Sequence, residues 1–78
     1  MSEYKVQSVV FNKDQISLDD TFDWLIDHGY KIKKSDETET QYRFRQLEPS
    51  YLKRKGFTEY RTKQLNDVVS LVLVYQKE

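Results

Sequence analysis

Residues Tyr4 to Phe11 read YKVQSVVF, a run rich in β-branched and aromatic side chains that alternates for most of its length. A strict period of two places Tyr4, Val6, Ser8 and Val10 on one face and Lys5, Gln7, Val9 and Phe11 on the other. The pattern predicts a strand with one buried and one half-covered face. The period then lengthens to that of a helix. Ser17 stands where its hydroxyl can accept an orphan N–H of a first turn, Asp19 and Asp20 suit the positive end of the helix dipole, and Gly29 follows His28 as a left-handed stop. A helix over residues 18–28 is therefore bounded at both ends.

The apolar arc of this helix is wide. At about 100° per residue, Trp24, Leu25, Leu18, Phe22 and Ile26 span roughly 200°, against about 100° for a helix lying on one sheet face. Something besides the sheet is expected to cover it. The segment after Pro49 could fold over the helix, or Phe22, Ile26 and Trp24 could form a homodimer or partner contact.

Tyr30 to Ser35 (YKIKKS) and Thr40 to Leu47 (TQYRFRQL) alternate again around the polar tract 36–39, which predicts an antiparallel hairpin with Tyr42 and Phe44 on one side and Arg43 and Arg45 on the other. Pro49 ends this strand. Ser50 to Lys55 reads as a short helical turn capped by Ser50 and stopped by Gly56. Phe57 to Lys63 (FTEYRTK) fits either an edge strand or an extended loop. Val68 to Tyr75 (VVSLVLVY) is apolar except at Ser70 and reads as a strand buried on both faces, paired at the centre with the first. The expected architecture is a single α+β domain over residues 1–78. It is a two-layer sandwich of order β-α-β-β-(loop)-β, with one helix on a mostly antiparallel four-stranded sheet.

Composition narrows the chemistry. A chain of 78 residues has a thin core and little room for an enclosed active site. Zero cysteines and one histidine exclude disulfides, thiolate metal sites and His-pair zinc sites. No cofactor or metal is expected. Asp36, Glu37 and Glu39 match no established calcium loop, Asp19, Asp23 and Asp27 fall on the polar arc of the helix, and His28 has no triad partner. His28 is expected to bond the last helix carbonyls or to pack on Trp24. With only Gly29 and Gly56 there is no phosphate-cradling loop. An enzyme is not expected. No run is long and apolar enough for a membrane span and no charged-then-apolar leader opens the chain, so neither a membrane nor secretion is expected.

Formal net charge is zero, yet residues 14–27 hold five acids and no base, while residues 42–63 hold seven bases and two acids. If those segments lie on different faces, the molecule carries opposed fields. The basic segment interleaves Arg43, Arg45, Lys53, Arg54, Lys55, Arg61 and Lys63 with Tyr51 and Tyr60. Cations neutralise phosphates and exposed aromatics stack bases, so this is the leading candidate for nucleic-acid contact. A protein-interaction role through Phe22, Ile26 and Trp24 is the alternative. A small inhibitor whose acidic helix mimics nucleic acid is a third reading.

Three stretches together carry a resemblance: Trp24, Leu25, His28, Gly29, Tyr30 and Lys31 (WL-x-x-HGYK); Tyr42 to Gln46 with Pro49 (YRFRQ-x-x-P); and Tyr60 to Lys63 (YRTK). The chain is similar over roughly residues 5–75 to a small domain of tailed phages and large DNA viruses, found alone or within virion-morphogenesis proteins, head-maturation proteases among them. The resemblance implies a viral or phage context, with a location in the host cytoplasm or the virion. In that context the protein-interaction role would be virion-structural, and the inhibitor would act on a host enzyme. It implies no chemistry, and the chain shows no protease nucleophile motif. It also implies that Leu18, Thr21, Trp24, Leu25 and His28 face the sheet, which leaves Phe22 and Ile26 as surplus apolar surface of the kind that marks an interface.

Overall fold

The computed structural model describes residues 3–76. Seven elements follow one another: β1 (Tyr4–Asn12), α1 (Leu18–Asp27), β2 (Ser35–Glu37), β3 (Gln41–Arg45), α2 (Pro49–Arg54), β4 (Phe57–Gln64) and β5 (Val69–Gln76). The strands form one antiparallel sheet of five, in the order β2-β3-β1-β5-β4. The α+β class and the β1–β5 pairing expected from the two most apolar runs are both present. The count of four strands and one helix is corrected to five and two.

α1 forms where its caps require. The Ser17 side chain accepts the N–H of Asp20 at 3.2 Å, and Gly29 takes φ 76° after the C-cap His28. Thr21 and Leu25, four residues apart on one stripe, are fully buried, and Leu25 packs with Val9, Phe11, Phe44 and Val69. Phe11 is the hub, with Trp24 and Phe44 set edge-on to it at centroid distances of 5.5 and 5.8 Å.

β1 departs from simple alternation. Val6 pairs with Leu73 and Ser8 with Val72, so Gln7 is an extra residue, a β-bulge. Past the bulge the pleat changes phase. Val6 therefore packs on the same side as Val9 and Phe11, contrary to the strict period-two assignment. The bulge is held at both ends of its peptide and side chain. The Gln7 carbonyl accepts the N–H of Gln46 at 2.8 Å and of Leu47 at 3.4 Å, and its side-chain oxygen accepts the Ser8 hydroxyl at 2.6 Å.

α2 lies on the other face. Its one buried residue, Leu52, packs with Phe57, Val74 and half-buried Leu47. Val74 is five residues from Val69 along an unbulged strand, so the two point to opposite sides of the sheet. The sheet thus lies between two helices, which replaces the two-layer arrangement. It also means that the segment after Pro49 does not cover α1. Ile16, Trp24 and Tyr30 flank the α1 core instead, with the Trp24 and Tyr30 rings stacked at 5.8 Å.

Three local assignments change. Residues 30–34 are not a strand; β2 begins at Ser35 and takes in part of the expected turn, although the hairpin with β3 is present. Pro49 opens α2 at its first turn, where its missing N–H costs nothing, and Glu48 rather than Ser50 is the cap residue. Phe57–Gln64 is an edge strand and not a loop, and its residues beyond Phe57 are exposed.

Candidate functional site

The loop between α1 and β2 carries Lys31, Lys33 and Lys34, and it is fastened by side-chain and backbone groups of the β3 end. The Gln46 amide makes both bonds of a strand partner: Lys31 N–H donates to Gln46 Oε1 at 2.7 Å, and Gln46 Nε2 donates to the Lys31 carbonyl at 2.9 Å. Arg45 N–H donates to the Lys34 carbonyl at 2.8 Å. The loop is thus fixed beside the start of α2, and the two enclose a groove of about 400 Å³. Lys31, Lys33, Lys34 and Arg45 line it together with Gln46, Leu47, Glu48 and Tyr51. Four cations face one carboxylate.

Glu48 engages two of those cations. The Lys34 ammonium donates to one of its carboxylate oxygens, and Arg45 Nη1 donates to the other at 3.2 Å. The Lys34 hydrogen bond is the main reason the Glu48 carboxyl is held below its ordinary 4.5; desolvation opposes the shift, and the charges of Lys34 and Arg45 add to it. Lys31 and Lys33 have no carboxylate within ion-pair distance among the described residues.

α2 forms a ridge between this groove and a second hollow, lined by Pro49, Ser50, Lys53, Phe57, Thr58 and Tyr60. Each hollow has a tyrosine on its wall. Tyr51 is 39% exposed and Tyr60 49%. The exposed cations Lys53, Arg54 and Lys55 follow along the ridge, and Lys55 Nζ sits 5.9 Å from the Tyr51 ring centroid.

The structure therefore divides the basic segment read from the sequence. Arg43 and Arg45 share the α2 side of the sheet, because they pair with Val10 and Ser8. Arg43 is exposed and makes no ion pair among the described residues. Tyr60 pairs with Val74 and falls on that side too, whereas Arg61 and Lys63 pair with Leu73 and Leu71 and project to the α1 side. Arg61 lies over Tyr75 at 5.9 Å. Lys31, Lys33 and Lys34 were absent from the sequence-based site. The signal was the KIKK cluster itself, which alternation assigned to a strand.

The opposite surface belongs to α1. Asp19, Asp20, Asp23 and Asp27 are all exposed and have no cation within ion-pair distance among the described residues. The sheet separates this acidic surface from the groove, so the charges are opposed across the sheet there, although Arg61 and Lys63 of the basic segment lie on the α1 side with the aspartates. Of the apolar residues proposed for an interface, Phe22 is half-buried edge-on to Phe44 at 5.8 Å. Trp24 is half-buried, with His28 stacked on it at 3.8 Å. The His28 ring donates from Nδ1 to the Trp24 carbonyl at 2.8 Å, so both roles expected of this histidine occur together. Ile26 alone projects, 62% exposed.

Among the described residues no helix is long and apolar enough to cross a membrane. Comparison with protein-family models, curated proteins and solved structures finds no match to this chain.

Proposed function

We propose that the chain is a non-enzymatic binding module that holds a single nucleic-acid strand across the α2 ridge. The observation that carries this reading is the groove itself: Lys31, Lys33, Lys34 and Arg45 against Glu48 alone, beside the outward ring of Tyr51. The ammonium and guanidinium groups neutralise phosphates, while Tyr51 and Tyr60, one on each flank, offer faces for bases. Lys53, Arg54 and Lys55 continue the positive track along the ridge between them. Neither arginine of β3 is engaged by the α1 aspartates. The sequence resemblance to a domain of phages and large DNA viruses gives the reading its context, that of a viral accessory protein.

Lys31, Lys33, Lys53, Arg54 and Lys55 make no ion pair among the described residues, so these five are the groove and ridge cations free to displace counterions. The expected salt slope, log K against log salt, is about −3 to −4 for a single strand. Fluorescence anisotropy with labelled single-stranded DNA and RNA measures it. Tyr51→Ala is expected to weaken binding by about 5- to 150-fold, the usual value of one stacked base. Arg61→Ala, on the far side of the sheet, should change affinity much less. Absence of binding at low salt, or equal losses from Arg61→Ala and Tyr51→Ala, would refute the assignment.

A further inference from the structure

We infer that a second copy of this chain seats the outer stripe of α1 in the Lys31–Tyr51 groove, so that copies associate head to tail. The inference does not depend on nucleic-acid binding and goes beyond it.

The stripe consists of Asp19, Asp23, Ile26 and Asp27, at i, i+4, i+7 and i+8 of α1, which places them together on one line of the helix. Thr21 and Leu25 are fully buried, so this line faces solvent. Ile26, 62% exposed, is an apolar projection set among carboxylates that make no ion pair among the described residues. The groove has the inverse composition: Leu47 and Tyr51 give it apolar lining, and Lys31 and Lys33 line it without an ion pair among the described residues. Its volume of about 400 Å³ accommodates an isoleucine side chain with neighbouring helix surface. The free charges of one surface are opposite in sign to those of the other, and the apolar projection matches the apolar recess.

A chain cannot satisfy itself in this way, because the sheet lies between the two surfaces. The formal charge of zero removes the net repulsion that would otherwise hold copies apart. A contact that joins two different patches is heterologous, and it extends into open chains unless its rotation closes a ring. The helix is ten residues long, about 15 Å, so the interface falls in the small, transient class and rests largely on steering by charge. The carboxylate stripe and a nucleic-acid strand would compete for the same cations.

Sedimentation velocity over a concentration series tests this. The wild type is expected to show a rising weight-average coefficient at low salt that returns to the monomer value at high salt. Asp23→Lys with Asp27→Lys, and separately Lys31→Glu with Lys33→Glu, should each sediment as monomers. Mixed in equal amounts they should associate again, since each swapped surface then meets its complement. A wild type that stays monomeric at several hundred micromolar in low salt overturns the inference, and so does association that neither double swap reduces. Dilution of the isotope-labelled wild type gives a reading free of any folding defect. Amide shifts are expected to move along the α1 stripe and around residues 31–34 and 45–51; shifts confined elsewhere overturn it. Association without oligonucleotide binding would discard the proposed function and leave this inference standing.

Discussion

Leu52→Ala probes the link between the fold and the groove most directly. Leu52 is the one buried residue of α2 and is fully enclosed with Phe57 and Val74. Truncating such a leucine costs about 2–5 kcal/mol through lost transfer free energy and the cavity left behind. A domain of 78 residues has a total stability of about 4–12 kcal/mol, so the change removes a large fraction of it. The loss should fall unevenly. A six-residue helix cannot persist without tertiary packing, whereas the α1 side keeps Val9, Phe11, Leu25, Phe44 and Val69. Hydrogen exchange should therefore show α2 amides losing protection before those of β1 and β5. The midpoint of thermal unfolding followed by Trp24 fluorescence should fall by about 8–40 °C, at about 4–8 °C per kcal/mol. Oligonucleotide affinity should drop at temperatures where the sheet remains folded. An unchanged midpoint, or α2 amides as protected as in wild type, would show that Leu52 is not what docks the ridge.

Glu48→Gln should raise anion affinity rather than lower it, because it removes the groove's one carboxylate and releases Lys34 and Arg45; a steeper salt slope in the anisotropy titration checks this. Because the folded Glu48 carboxyl is held below its unfolded 4.5, its contribution to stability is present above 4.5 and is lost as pH falls through the lowered folded value; the acid limb of a wild-type urea series should flatten in Glu48→Gln. Ser17→Ala removes the acceptor for the Asp20 N–H and should cost about 1 kcal/mol by chemical denaturation, with Ser17→Asp restoring most of it.

Much of the scaffold is legible in side-chain chemistry. Ser17 and Gly29 bound α1 because a hydroxyl and a missing Cβ act locally, and the apolar runs of β1 and β5 find each other because neither tolerates solvent on its buried face. The groove is less legible because its parts are joined by particular bonds and not by periodicity. YKIKKS has the spacing of a strand, yet the Gln46 side chain takes the partner's place at Lys31, and the ladder starts only at Ser35. The position of α2 depends on the phase of the sheet, which no single segment encodes. The wide apolar arc of α1 was a sound signal for extra cover. The cover comes from Tyr30 and Ile16, residues adjoining the helix in sequence that pack on the core beside Trp24 and Phe22, so the remaining surplus reduces to Ile26 and to Leu18, which was expected to face the sheet and is 39% exposed.

Gln7 sets the phase of everything that precedes it. Without that residue the sheet would not simply become shorter. Tyr4 and Val6 would exchange sides with Lys5, separating Tyr4 from the Tyr75 ring it meets at 5.5 Å and carrying Lys5 away from Phe57. The same deletion would withdraw the carbonyl on which the chain turns out of β3 toward α2. One amide group in the middle of a strand thus acts as a frame marker for the whole molecule, deciding which helix each half of β1 serves.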